Sequence, residues 1–86
     1  MDRQFTDHAE DRLREHHIAR EAVYLTIAQP DRETVLNAGR WNERRHEARR
    51  FGDRELHVVW MRRRGELLVF TVWWKQLRRS RKGERR

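Results

Sequence analysis

The sequence predicts an α+β domain: two N-terminal helices packed on an antiparallel sheet of three or four strands, followed by a basic C-terminal tail. Three observations point there. Two apolar runs, residues 56–61 and 67–74, are rich in β-branched and aromatic side chains and flank Arg62-Arg63-Arg64-Gly65-Glu66. Runs of this kind around a Gly-containing connection read as a β-hairpin. Upstream, apolar residues recur at helical spacing in two short stretches. Charge is uneven: residues 1–36 carry a net −3, residues 37–74 a net +4 and residues 75–86 a net +6. Residues 1–75 are therefore read as the folded domain and residues 76–86 as a basic tail.

In chain order, residues 1–5 form a short lead. Thr6 or Asp7 caps a first helix that runs to about His16, and Asp7, Glu10 and Asp11 suit its positive N-terminal dipole. Phe5, Ala9 and Leu13 recur every four residues and give it one narrow apolar stripe. His17-Ile18-Ala19 breaks the helix, with Ile18 turned into the core. A second helix spans residues 20–28 with an apolar face of Ala22, Val23, Leu25 and Ile27, and Pro30 helps to stop it. Residues 33–36 form a first strand, closed by Asn37-Ala38-Gly39. The polar stretch 44–51 is a strand beside 56–61 with one exposed face. Its register stays open, because a two-residue loop at Gly52-Asp53 and a four-residue loop ending at Glu55 place Arg49 and Arg50 on different faces. Residues 67–74 are apolar at nearly every position, which predicts a central strand covered on both faces. In the tail only Leu77 is a large apolar residue. Free in solution it is expected to be disordered or a frayed helix; a continuing helix or ordering by a partner are the other readings.

Composition narrows the function. With 86 residues, 41% of them charged, the core must be small, and a partner or a homodimer would add stability. The absence of cysteine excludes disulfides and thiolate zinc sites and suits a cytosolic location. No apolar run reaches the roughly 20 residues of a membrane span, and no signal-peptide core is present, so no membrane association is expected. The net charge of +7 resides mostly in the last twelve residues. Such polarity attracts nucleic-acid phosphates and, equally, an acidic protein partner.

Five histidines occur, but no spacing converges three of them, so neither a metal site nor a cofactor is expected. His8 and Arg12 are four apart and share a helix face, which pairs a proton carrier with a phosphate binder. Alternation puts Glu47 and Arg49 on one face of the polar strand and His46 and Arg50 on the other, with His57 on the next strand. His, Glu and Arg together are the groups needed to cleave RNA without metal: a base for the 2′-OH, a cation for the phosphorane and an acid for the leaving oxygen. An edge strand kept soluble by charge explains the same residues. Trp41, Trp60, Trp73 and Trp74 offer base stacking or core packing, and of the adjacent Trp73 and Trp74 one must face each side of its strand. Arg50, Arg62, Arg63, Lys75, Arg78 and Arg79 are candidate nucleic-acid contacts.

Phe5-Thr6-Asp7-His8-Ala9 with Arg12-Leu13 resembles the opening of the DUF4258 family, whose first helix begins with a Ser/Thr-x-His-Ala pattern. His17-Ile18-Ala19-Arg20-Glu21-Ala22-Val23 is similar to that family's break and second helix, although His17 stands where a Gly is usual. Gly52-Asp53-Arg54-Glu55-Leu56-His57-Val58-Val59 and residues 65–73, ending in Thr71-Val72-Trp73, resemble its terminal hairpin. The hairpin with a basic end is also similar to BrnT-type toxins. This resemblance implies a RelE/ParE-like fold and the toxin of a toxin–antitoxin pair, commonly a metal-independent endoribonuclease acting on mRNA. Ribosome-bound mRNA is among the substrates it implies, and a cognate acidic antitoxin would be the neutralising partner. The family's His and helical Arg map onto His8 and Arg12; His46, Glu47 and Arg49 are candidates from chemistry alone. The broad fold also includes gyrase inhibitors, so a toxin acting by protein contact and a non-catalytic binding module stand beside the ribonuclease reading.

Overall fold

The computed structural model describes residues 3–77. Its elements are β1 (Arg3–Phe5), α1 (Asp7–Glu15), α2 (Arg20–Ala28), β2 (Arg32–Leu36), β3 (Arg44–Phe51), β4 (Arg54–Arg63) and β5 (Glu66–Gln76). They form an α+β fold in which a five-stranded sheet has the order β1-β5-β4-β3-β2. The expectation of three or four antiparallel strands is corrected here. The lead residues supply β1, which pairs parallel to β5, so the sheet is mixed. Three residues carry too little pattern to read as a strand; β1 exists because β5 offers it an unpaired edge. The calls on residues 78–86, including Arg78, Arg79 and the tail conformation, lie outside the described residues.

Local signals account for most boundaries. Thr6 caps α1 by accepting from the Ala9 N–H at 3.1 Å. The same hydroxyl donates to the Phe70 carbonyl at 2.9 Å, and the Thr6 N–H bonds the Val69 carbonyl at 3.0 Å. One residue thus starts the helix and ties it to β5. His17 ends α1 at φ 53°, in the left-handed region where glycine is favoured. The turn survives with His there, and Ile18 enters the core at 5% exposure. α2 has no side-chain N-cap; at its other end Arg49 Nη1 donates to the Gln29 carbonyl at 2.6 Å, a cation at the negative helix terminus.

Both hairpins turn on two residues. Phe51 pairs with Arg54 across Gly52-Asp53, and Arg63 with Glu66 across Arg64-Gly65. Gly52 stands at φ 68°, as the first position of a type II′ turn demands. Arg64 and Gly65 both have positive φ, the type I′ requirement. These short turns settle the register that the sequence leaves open, and they lengthen β4 and β5 beyond their apolar runs.

Both helices cover one face of the sheet. Ala9 and Leu13 of α1 and Val23 of α2 join Leu56, Val58 and Trp60 of β4 and Leu67, Val69 and Val72 of β5. β5 alternates buried and half-buried positions, so it is covered on one face rather than both. Trp74 closes the core edge-on to Phe51, at 5.8 Å between ring centroids; Trp73 takes the opposite face. The expected α2 face needs one change: Leu25 is exposed, and Thr26 is buried in its place. The Thr26 hydroxyl can be buried because it donates to the Ala22 carbonyl at 2.8 Å. β2 is exposed along its whole length.

Leu56→Ala, at a fully buried position under α2, is expected to cost about 3 kcal/mol. Val35→Ala on the exposed edge should change stability by less than about 0.5 kcal/mol. Urea denaturation of the two variants measures both; equal losses would refute this placement of the core.

Candidate functional site

Strand alternation sorts the polar groups of the sheet. Leu56, Val58 and Trp60 face the helices, so Glu55 and His57 face the other way. The register sets Ala48 opposite His57 and His46 opposite Val59, which makes His46 and His57 diagonal neighbours on the open face.

There they form a chain of hydrogen bonds. Arg32 Nη2 donates to Glu55 Oε1 at 2.6 Å. The same oxygen lies 2.9 Å from His57 Nε2, and His57 Nδ1 lies 2.9 Å from His46 Nε2. A carboxylate only accepts, so His57 carries its proton on Nε2. His57 Nδ1 then accepts from the His46 Nε2–H, and His46 Nδ1 is left with a lone pair. Trp73 lies flat on His57, with centroids 5.0 Å apart and planes at 12°. It also flanks His46 at 5.3 Å. His57 is only 6% exposed although no helix covers it.

Burial lowers the pKa of His46, and the neighbouring His57 and Arg32 charges lower it further against the pull of Glu55. Burial likewise lowers His57, opposed by its bond to Glu55. Both imidazoles are thus neutral at pH 7, as a proton acceptor must be. A dent of about 40 Å³ beside them is lined by Arg32, Thr34, His46, Ala48 and His57. Lys75 joins this face at the Glu55 position of the β4–β5 ladder. Arg44 adds a cation held 4.0 Å above the Phe70 ring. Among the described residues no three His, Asp or Glu side chains converge as a metal site.

The other sequence candidates are distributed as follows. His8 Nε2 lies 3.1 Å from Thr71 Oγ1 at the β5 edge. Thr71, Val59 and His46 form one row across the sheet. Arg12 Nη1 faces His16 Nε2 at 3.1 Å and Glu15 at 3.7 Å, along α1. Glu47 and Arg49 lie on the helix face; the structure does not bring them to His46, and Arg49 is occupied at the α2 C-terminus. Arg50 is held at the β3–β4 turn by its bond to the Gly52 carbonyl. Arg62 lies 5.7 Å from the Trp60 ring centroid, and Arg63 is exposed at the end of β4. Sequence reasoning missed Arg32 and Glu55, and it did not give His57 a role. The spacing of Glu55 and His57, two apart on a strand, was the available signal; joining them to His46 needed the turn register.

On the helix face a second feature opens: a cleft of about 670 Å³ among Ile27, Glu33, Trp41, Arg45, Glu47 and Trp60. Glu47 is 2% exposed and opposite Glu33 in the β2–β3 ladder. Burial and a hydrogen bond shared with Glu33 push its pKa up to about 8, and Trp60 and Arg45 oppose this without prevailing. The bond to Glu47, with that to Arg45, holds Glu33 below the usual carboxylate range. The two acids therefore share one proton at neutral pH.

A family model described as a domain of unknown function, DUF4258, matches residues 5–74. No curated protein and no solved structure matches the chain.

A carboxyl raised in the folded state contributes stability that is fully present below its unfolded value, near 4.5, and is lost as pH rises through about 8. Glu47→Gln keeps a neutral donor toward Glu33. At pH 9 it should therefore be more stable than the wild type by on the order of 2 kcal/mol. The gap should close toward pH 5. Thermal melts of both proteins from pH 5 to 9 test this, and a constant gap would refute the shared proton.

Proposed function

The chain belongs to the DUF4258 family, and we propose that it is a RelE-like toxin of a toxin–antitoxin pair that cleaves RNA without a metal. The observation that carries this reading is the Glu55–His57–His46 chain, which ends in a neutral imidazole on an open sheet face. His46 Nδ1 takes the proton from a ribose 2′-OH. The 2′-oxygen attacks the adjacent phosphorus, the P–O5′ bond breaks, and a 2′,3′-cyclic phosphate remains. Glu55 and His57 hold the His46 tautomer and stabilise the imidazolium that forms. Arg32, Arg44 and Lys75 supply positive charge to the phosphorane.

His8 stands at the far end of the row that runs from His46 through Val59 to Thr71. Two strand spacings separate the ends, about 10 Å of backbone, enough for one phosphodiester between two imidazoles. A protonated His8 gives its proton to the leaving 5′-oxygen. The basic segment at residues 78–86 adds phosphate affinity. An acidic antitoxin would neutralise the protein by covering the same charged face. No helix among the described residues is long and apolar enough to cross a membrane.

One observation favours a second reading, that of a non-catalytic binding module. His57 and Glu55 are nearly buried, and the dent beside His46 holds little more than a water molecule. In that reading the polar chain fixes the sheet and the basic rim binds.

Purified protein is expected to cleave labelled single-stranded RNA in EDTA. His46→Ala should lose about 100-fold or more in rate, with an unchanged far-UV spectrum. Glu55→Gln should lose less. Because the His46 pKa is lowered, the wild-type rate should hold as pH falls to 6.5 and drop only below it. Salt-sensitive RNA binding without cleavage would favour the module.

A further inference from the structure

The outer edge of β2 has no part in the cleavage reading. β2 is the last strand of the sheet, so alternate backbone N–H and C=O groups along it point away from β3. Natural edge strands are guarded against further pairing by charge, by proline, by a bulge or by brevity. The outer side of β2 lacks these guards. Its two charged side chains turn inward over the sheet, Arg32 to Glu55 at 2.6 Å and Glu33 to Arg45 at 2.9 Å. Its five residues pair one for one with β3, so no bulge bends it away. The opposite edge, β1, is only three residues long. Among the described residues four large hydrophobics are exposed, and three of them, Val35, Leu36 and Trp41, lie on β2 or in the loop after it. Such a cluster beside an open edge marks an interaction surface.

Charge selects the occupant. Residues 29–43 hold Asp31, Glu33 and Glu43 against Arg32 and Arg40, a net −1. The basic excess lies in residues 75–86, at the end of β5, which stands three strands away from β2. An acidic strand gains nothing from this edge, whereas a second copy of the chain meets no repulsion there. We propose that β2 is a homodimer interface, in which two copies pair antiparallel about a two-fold axis through Thr34 and their two sheets join into one. Directly opposed residues share a face, so the axis must pass through a residue. At Arg32 or Glu33 it would oppose like charges. At Val35 or Leu36 the overlap would run into the turn at Asn37, where φ is 55°. At Thr34 all five residues of β2 pair: Thr34 with Thr34, Glu33 with Val35 and Arg32 with Leu36. This axis is perpendicular to the sheet, so both uncovered faces look the same way. Thr34 lies opposite His46 in the β2–β3 ladder, which puts the two His46 positions three strand spacings apart, about 14 Å. Thr34 also lines the dent beside His46, and the second copy walls the side of it that β2 leaves open. The pairing rests on the edge alone and holds in a protein that cleaves nothing.

The test is sedimentation velocity of the full-length protein over a range of concentrations. A one-strand interface is small, so the mass should double between about 2 μM and about 200 μM. Thr34→Lys sets two like charges against each other at the axis and should remain monomeric throughout that range, with an unchanged far-UV spectrum. The chain has no cysteine, so Thr34→Cys carries a single thiol. Under mild oxidation it should form a disulfide-linked dimer, because opposed Cβ atoms lie about 5 Å apart. Gln4→Cys, on the opposite edge strand β1, should not. The crosslink decides the question even where Thr34→Lys does not fold. Wild-type protein that is monomeric at every concentration would overturn the proposal and leave the edge to a strand of a different protein. A dimer that persists in folded Thr34→Lys would also overturn it, as would Thr34→Cys that crosslinks no better than Gln4→Cys.

Discussion

The period of two along β4 is the constraint on which the rest of the structure depends. Leu56, Val58 and Trp60 must meet the helices, because the small core is built around their burial. The residues between them have no choice of side. Glu55 and His57 are thereby placed on the uncovered face of the most central strand of the sheet. A one-residue slip would bury both in the core and expose Leu56 and Val58, so hydrophobic burial holds the polar chain in place at no additional cost. The hairpin turn at Gly52-Asp53 then carries the constraint to β3 and brings His46 to His57.

Two buried acids, one on each face, are accommodated by opposite means. Glu55 accepts hydrogen bonds from both Arg32 and His57 on one of its oxygens. At Glu47 the Trp60 N–H and the Arg45 charge favour the carboxylate but do not prevail. Desolvation and the nearby Glu33 favour its neutral form, which is the less costly state for a carboxyl in an apolar site. The same side-chain type is therefore an anchor for an imidazole chain on one face and a proton store on the other. Its neighbours decide which, as with acid pairs whose environments separate their titrations.

The arginines show the same dependence on context. Arg49, which chemistry alone offers as a phosphate binder, caps α2 by bonding the Gln29 carbonyl. Arg32, unremarkable in sequence, reaches from the edge strand β2 across β3 to hold Glu55 on β4. Nothing local distinguishes the two, since each is an arginine in a polar stretch. What separates them is the element that each side chain happens to reach across the sheet.

The second helix was legible from the sequence to the residue, and so were β3 and the Ile18 plug, because capping, periodicity and turn chemistry act over a few neighbours. The opposed faces of Glu47 and His46 followed from alternation alone. The parallel pairing of β1 was not legible, because its cause is a vacant edge more than 60 residues away in the chain. Nor were Thr26 in place of Leu25, or the Arg32–Glu55–His57–His46 chain, which joins three strands. By itself the sequence determined the two helices, the strands from β2 to β5 and the alternation of side chains along them, though not β1. Only the tertiary structure decided which polar groups meet, because pairing across strands depends on register and on which edge remains open, and both are set by the packing of the whole sheet.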